Sequence, residues 1–158
     1  MIRVFLTGAT GFIGGRLLER LQSNPDVTEI RCLVRNPQNI PVDSLSPKVT
    51  LFKGDITDIS SIHTAMNGAD IVFHLAAYYE LGIAKAEIKK MEQINVVGTE
   101  NVLRASKTLN IPKIIYISTV YALGDSADKT VDETHQHCKK FTCEYRRTKY
   151  EAHMISEE

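Results

Sequence analysis

Two side chains near the end of the chain, Tyr145 and Lys149, stand four residues apart in a stretch of helical character. They therefore share one helix face, about a turn apart. A lysine cation beside a phenol favours the phenolate and lowers the tyrosine below its ordinary value of about 10. Such a phenol can give a proton to a carbonyl oxygen or take one from an alcohol. The same spacing also fits an ordinary pair on a solvated helix. Ser118 and Thr119 close an apolar run, where a hydroxyl can hold a substrate oxygen or simply cap a strand end.

A third set lies near the beginning. Thr7-Gly8-Ala9-Thr10-Gly11-Phe12-Ile13-Gly14 places glycines three residues apart between an apolar run and a helical one. Glycine permits a tight turn and a close backbone approach, and the free N–H groups of a helix start suit a pyrophosphate. The spacing departs from the common G-x-G-x-x-G fingerprint, and a structural turn is the plain alternative. On the nucleotide reading, Gly8, Thr10, Gly11, Phe12, Ile13 and Gly14 are the candidate cofactor-binding residues. The next apolar run ends in Leu33-Val34-Arg35-Asn36, without the carboxylate that would bind an NAD ribose. Arg35 can instead pair with a 2′-phosphate. NADP is the preferred cofactor and NAD the alternative.

The elements that must position these groups follow from periodicity. Ile2–Leu6, Ile30–Val34, Val49–Phe52, Ile71–Leu75 and Ile114–Ile117 read as strands. Between them, Phe12–Leu21 puts Ile13, Leu17, Leu18 and Leu21 on one helical face. Asp58 caps a helix ending near Asn67-Gly68, and a long helix runs from about Ala84 to Thr108. A final helix starts near Glu144. Alternating strands and helices predict an α/β fold, a doubly wound, Rossmann-like parallel sheet forming one dinucleotide-binding domain over residues 1–158. The fifth strand then forms an exposed apolar edge. A sixth strand is expected beyond it, so the chain reads as the amino-terminal portion of a longer enzyme.

Composition narrows the class. The 158 residues carry 19 basic and 19 acidic side chains, and 43% are hydrophobic. That excludes a largely disordered chain and argues against a nucleic-acid binder. No apolar stretch is long enough to predict a membrane span, and the opening run leads into glycines rather than a leader-peptide cleavage site. Three cysteines, Cys32, Cys138 and Cys143, point to free thiols and a cytoplasmic location. His135, His137, Cys138 and Cys143 match no common zinc spacing, so no metal is expected. Asp132 and Glu133 read as solvated loop charges.

Taken together, these segments resemble the extended short-chain dehydrogenase/reductase family, also called the NAD-dependent epimerase/dehydratase family. The resemblance rests on Thr7-Gly8-x-x-Gly11-x-x-Gly14, Gly54-Asp55-Ile56, His74-Leu75-Ala76-Ala77, Asn95-Val96-Val97-Gly98-Thr99, Tyr116-Ile117-Ser118-Thr119 and Tyr145-x-x-x-Lys149. It implies that Asp55 and Ile56 lie beside the adenine, and that Ala76 and Ala77 line the ribose and nicotinamide side. Asn95 would order the long helix and the site around it. Tyr145 would be the catalytic acid/base, Lys149 would bind the ribose hydroxyls, and Thr119, with Ser118 as the fallback, would hold the substrate oxygen.

The implied reaction is hydride transfer between a nicotinamide and a small carbonyl or alcohol substrate. Leu33-Val34-Arg35 and Tyr145–Ala152 look most like the dihydroflavonol-reductase-like branch. Val120-Tyr121 stands where nucleotide-sugar dehydratases carry Asp-Glu, which counts against dehydration; a nucleotide-sugar epimerase and a non-catalytic NADP-binding redox sensor remain alternatives. Family members continue into a substrate-binding lobe, so these 158 residues are expected to lack turnover by themselves. Ile88, Met91, Val102, Leu103, Tyr150 and Met154 read as core, though the resemblance also implies a homodimer built on the same helices.

Overall fold

The computed structural model describes residues 1–40, 44–124, 130–135 and 139–158. Five strands alternate with helices: β1 (Ile2–Thr7), α1 (Phe12–Ser23), β2 (Val27–Val34), β3 (Val49–Lys53), α2 (Ile59–Met66), β4 (Ile71–His74), α3 (Lys85–Glu92), α4 (Gly98–Thr108), β5 (Lys113–Tyr116) and α5 (Glu144–Glu157). A π-turn over Gln93–Val97 joins α3 to α4, so the expected long helix is present with one widened turn. The strands are all parallel, in the order β3-β2-β1-β4-β5. This is the Rossmann-like sheet that the alternation predicted.

Side-chain alternation divides the core between the two faces of the sheet. Val4, Leu6, Ile30, Cys32 and Val34 pack with Leu18 and Leu21 of α1. Phe5, Leu33 and Val72 pack with Ile62, Ala65 and Met66 of α2 and Val102 and Ala105 of α4. Each large aliphatic buried this way contributes about 1.5–3 kcal/mol. The strands also align across the sheet: Thr7 is level with His74, and His74 with Tyr116. One row of side chains at the carboxyl ends of β1, β4 and β5 therefore shares the α2–α4 face.

Two features differ from the periodicity reading. β2 begins at Val27, where Val27 and Glu29 pair with Ile2 and Arg3. The charged Glu29 interrupts the apolar run and is neutralised by Arg31 at 2.7 Å. Ile13 is 56% exposed rather than buried; Gly14, Leu18 and Leu21 form the inward stripe of α1, because Gly14 is pressed against the turn before it. Asp58 caps α2 as expected, accepting the Ser60 N–H at 3.0 Å. β5 is the edge strand, and Ile114 and Ile117 are each 37% exposed. Among the described residues, no helix is long and apolar enough to cross a membrane.

Candidate active site

The glycine turn lies between β1 and α1 at the carboxyl end of the sheet. Gly8 has φ +76°, and a Cβ there would sit 2.7 Å from the Ala76 nitrogen. Gly14 is tighter still, since its Cβ would lie 2.0 Å from the Gly8 carbonyl oxygen. Backbone thus meets backbone where a side chain cannot fit. The helix start has no side-chain cap and no acidic residue in its first turn, so its N–H groups and positive dipole end are available to an anion.

The turn opens on a cleft of about 380 Å³. Of the predicted cofactor-binding residues, Gly8, Thr10, Gly11, Arg35, Asp55, Ile56, Ala76 and Ala77 line it. Phe12 is 91% exposed, and neither it nor Ile13 is part of the lining. Gly14 lies beneath the turn. Arg35 is exposed at the cleft, and its guanidinium makes no hydrogen bond or ion pair among the described residues.

Beneath the cleft floor, Thr7 and His74 of that row are hydrogen-bonded, and Tyr116 stacks on His74. The Thr7 hydroxyl accepts the N–H groups of Leu75 and Ala76 at 3.2 Å each, so its proton goes to His74 Nδ1 at 2.7 Å. Thr99 gives its proton to the Asn95 carbonyl at 2.7 Å and therefore accepts from His74 Nε2 at 3.0 Å. These bonds assign the tautomer: Nε2 carries the hydrogen. Full burial, with the Lys149 charge adding to it, pushes the His74 pKa down to about 3.

Tyr145 and Lys149 are both buried, at 9% and 3% exposure, so they are not a surface couple. Thr119 caps the 3-10 turn over Val120–Leu123 and its side chain interacts with that of Tyr145. The ammonium of Lys149 donates to the Tyr116 hydroxyl at 2.7 Å and to the Ile117 carbonyl at 3.0 Å. A phenol, an aliphatic hydroxyl and a buried cation are thus gathered at the end of β5.

The 3-beta hydroxysteroid dehydrogenase/isomerase family, an extended short-chain dehydrogenase/reductase group, matches residues 5–156. The chain belongs to the extended short-chain dehydrogenase/reductase family. A "Putative dihydroflavonol 4-reductase" of Synechocystis sp. is 33% identical over 154 residues, covering 92% of this chain and 41% of that protein. A UDP-glucose 4-epimerase of Rickettsia bellii is 36% identical over 124 residues, covering 73% of this chain and 36% of that one. The dTDP-glucose 4,6-dehydratase DesIV of Streptomyces venezuelae, solved with NAD, superposes with a TM-score of 0.86 at 22% identity, over 98% of this chain and 50% of that one. The chain spans well under half the length of these curated relatives. The family holds oxidoreductases, epimerases and dehydratases and is nicotinamide-dependent.

Within this extended short-chain dehydrogenase/reductase site, one expectation is corrected. Lys149 does not lower the phenol of Tyr145. Burial raises that phenol above its ordinary value, Tyr79 adds to the rise, and Thr119 pulls against it. The ammonium is instead directed at Tyr116, whose hydroxyl burial pushes up to about 12. Lys149 itself falls to about 8 through burial. The cause is geometric: from one turn along α5, the lysine reaches the end of β5.

Asn95 does not line the cleft. From the π-turn it accepts the Tyr78 N–H at 2.7 Å, donates to the Tyr78 carbonyl at 3.0 Å and donates to Thr148 at 3.1 Å. It ties the loop after β4 to α5. Ser118 Oγ is buried with no hydrogen-bond partner among the described residues. His137 and Cys138 lie outside the described residues, and the described ones contain no metal-binding group of His, Cys, Asp and Glu. Tyr78, Lys90 and Ile94 line the cleft but carried no sequence signal, because their placement depends on how the π-turn seats α3.

His74 yields a pH prediction. In the unfolded chain it takes a proton near pH 6.5; in the folded chain it resists until about pH 3. Its contribution to stability is therefore present above pH 6.5 and drains as the pH falls through that window. Urea unfolding at pH 6.5 and 4.5 should show wild type losing about 2 kcal/mol more than His74→Gln over that interval. Equal losses would rule out a buried neutral imidazole.

Proposed function

We propose that the protein is an NADP-dependent oxidoreductase that interconverts a small carbonyl compound and its alcohol, in the manner of the dihydroflavonol-reductase-like branch. The observation that carries this reading is the cleft itself, with its glycine floor, uncapped helix start and unpaired arginine. Gly8 lets the turn press against the Ala76 backbone and Gly14 lets the helix press against Gly8, the helix start supplies donors for a pyrophosphate, and Arg35 supplies a fork for a 2′-phosphate. These residues fit a dinucleotide phosphate. When bound, the nicotinamide supplies or accepts the hydride.

The chain's own residues do the rest. In the reductive direction, Thr119 holds the carbonyl oxygen while Tyr145 delivers its phenolic proton to that oxygen. A phenol raised by burial is protonated at neutral pH and so suited to giving a proton. Lys149 would hold a ribose hydroxyl with its remaining donor and so orient the cofactor toward the carbonyl. In the oxidative direction the same groups take the proton back.

Fluorescence titration with NADPH and NADH tests the cofactor part. NADPH should bind more tightly, and Arg35→Ser should weaken NADPH roughly 10-fold to 100-fold, the worth of a charge-assisted hydrogen bond, while leaving NADH unchanged. NADH binding equal to or tighter than NADPH would overturn the NADP assignment. A second reading, nucleotide-sugar epimerisation, is favoured by the identity to the Rickettsia epimerase. Incubation of the full-length protein with UDP-glucose would expose it.

A further inference from the structure

Lys149 is a cation at 3% exposure, and no carboxylate pairs with it among the described residues. Burying a charge is costly unless bonds replace its water. Its replacements are neutral: the Tyr116 hydroxyl at 2.7 Å, the Ile117 carbonyl at 3.0 Å and the Tyr116 ring face at 4.5 Å from Nζ. Any residue at 117 would supply the carbonyl. The hydroxyl exists only because residue 116 is tyrosine.

That tyrosine is itself held. His74 stacks on it, with ring centroids 5.5 Å apart and planes 21° apart. A bond accepted from the Thr7 hydroxyl and one donated to Thr99 fix His74 in turn. Thr7 is the residue before Gly8, so one row, hydrogen-bonded from Thr7 to His74 and stacked from His74 to Tyr116, links the glycine turn to the ammonium. Around Lys149 stand His74 of β4, Tyr116 of β5 and, one turn back on α5, Tyr145. The charges of Arg147, Glu144 and Glu151 on α5 and Glu92 on α3 are bonded to one another at Arg147.

We infer that Tyr116 is a positioning residue: its hydroxyl, with the Ile117 carbonyl, holds the Lys149 ammonium at the end of β5 and leaves it one N–H donor for a ribose hydroxyl. An ammonium has three donors, and two are used. The last step rests on the dinucleotide reading above; the holding contact does not. A tyrosine present only as core filling would be replaced by phenylalanine without consequence for the lysine.

Tyr116→Phe keeps the ring against His74 and removes the hydroxyl. With lysines labelled at 13Cε, and the Lys149 signal assigned through Lys149→Met, wild type should titrate near pH 8. The variant should titrate at lower pH, because the acceptor that favoured the charged form is gone. An unchanged midpoint in a folded variant overturns the inference. Should the variant not fold, wild-type protein labelled at tyrosine 13Cζ gives the same test. The Tyr116 signal should move with the Lys149 midpoint, and a signal that stays flat through that range overturns the inference.

An NADPH titration then separates the two readings. Tyr116→Phe should bind about tenfold more weakly, the loss of one hydrogen bond to a charged group, and Lys149→Met should abolish that difference. A shifted lysine midpoint in a protein that binds no dinucleotide would keep the holding contact and sink both the ribose step and the dinucleotide reading. Full-strength NADPH binding by Tyr116→Phe with an unmoved lysine would sink the inference and spare the dinucleotide reading.

Discussion

Tyr145→Phe in the full-length protein is expected to lower turnover by about 10²–10⁴-fold, the usual worth of a positioned proton donor, with NADPH affinity held within a few-fold. The phenol is 9% exposed, and burial raises its pKa. Phenylalanine fills the same volume, keeping the edge-to-face contact with Tyr79 at 4.8 Å. Only the hydroxyl, with its proton and its bond to Thr119, is lost. Steady-state kinetics beside a cofactor titration separate the outcomes. A catalytic donor predicts a fall in kcat with binding preserved; a packing role predicts no change in either. An NADP-binding sensor would keep both binding and signalling after this change, so an absence of any turnover in wild type that still binds NADPH would favour that rival, and normal turnover in the variant would remove Tyr145 from the donor role.

Gly14→Ala should be nearly as damaging, by another route. A methyl at residue 14 would stand 2.0 Å from the Gly8 carbonyl oxygen and 2.7 Å from its carbon. Both belong to backbone, so the turn itself must move. Overpacking of this kind costs about 1–3 kcal/mol, or a melting temperature lower by roughly 2–12 °C for a domain of this size. The displaced turn should also weaken dinucleotide binding by at least about tenfold, since phosphate recognition depends on N–H positions. Gly15→Ala is the matched control. Its methyl would meet only the Ala9 carbonyl oxygen at 3.7 Å, and replacing a helical glycine by alanine should stabilise by up to about 1 kcal/mol. If both variants melt and bind alike, close packing of turn against helix is not what residue 14 supplies.

Much of the scaffold was legible because its rules are local. Alternating apolar runs and 3.6-residue stripes marked five strands and most helix positions. Asp58 announced a cap, and the glycine spacing announced a turn between β1 and α1. Local rules failed where neighbours in space outweighed neighbours in sequence. Ile13 fits the helical stripe on paper, yet Gly14 occupies the inward position because the Gly8 carbonyl leaves space for nothing larger. Glu29 hid the start of β2, since only its pairing with Arg31 and the alignment with β1 make a charged residue acceptable there.

The site divides along the same line. By itself, the order of residues along the chain determined that a glycine turn precedes a helix, that Arg35 stands where an acidic ribose ligand would, and that Tyr145 and Lys149 share a helix face. Only the tertiary structure decided where that lysine points. Lys149 and Tyr116 are separated by 33 positions, and their meeting depends on α5 packing against α4 and the π-turn, from where the lysine reaches the end of β5. His74 enters the same row because β4 pairs with β1 and β5 in register. A buried cation settles on whichever acceptors the packing brings within reach, and helix periodicity carries no information about a strand end on another part of the chain.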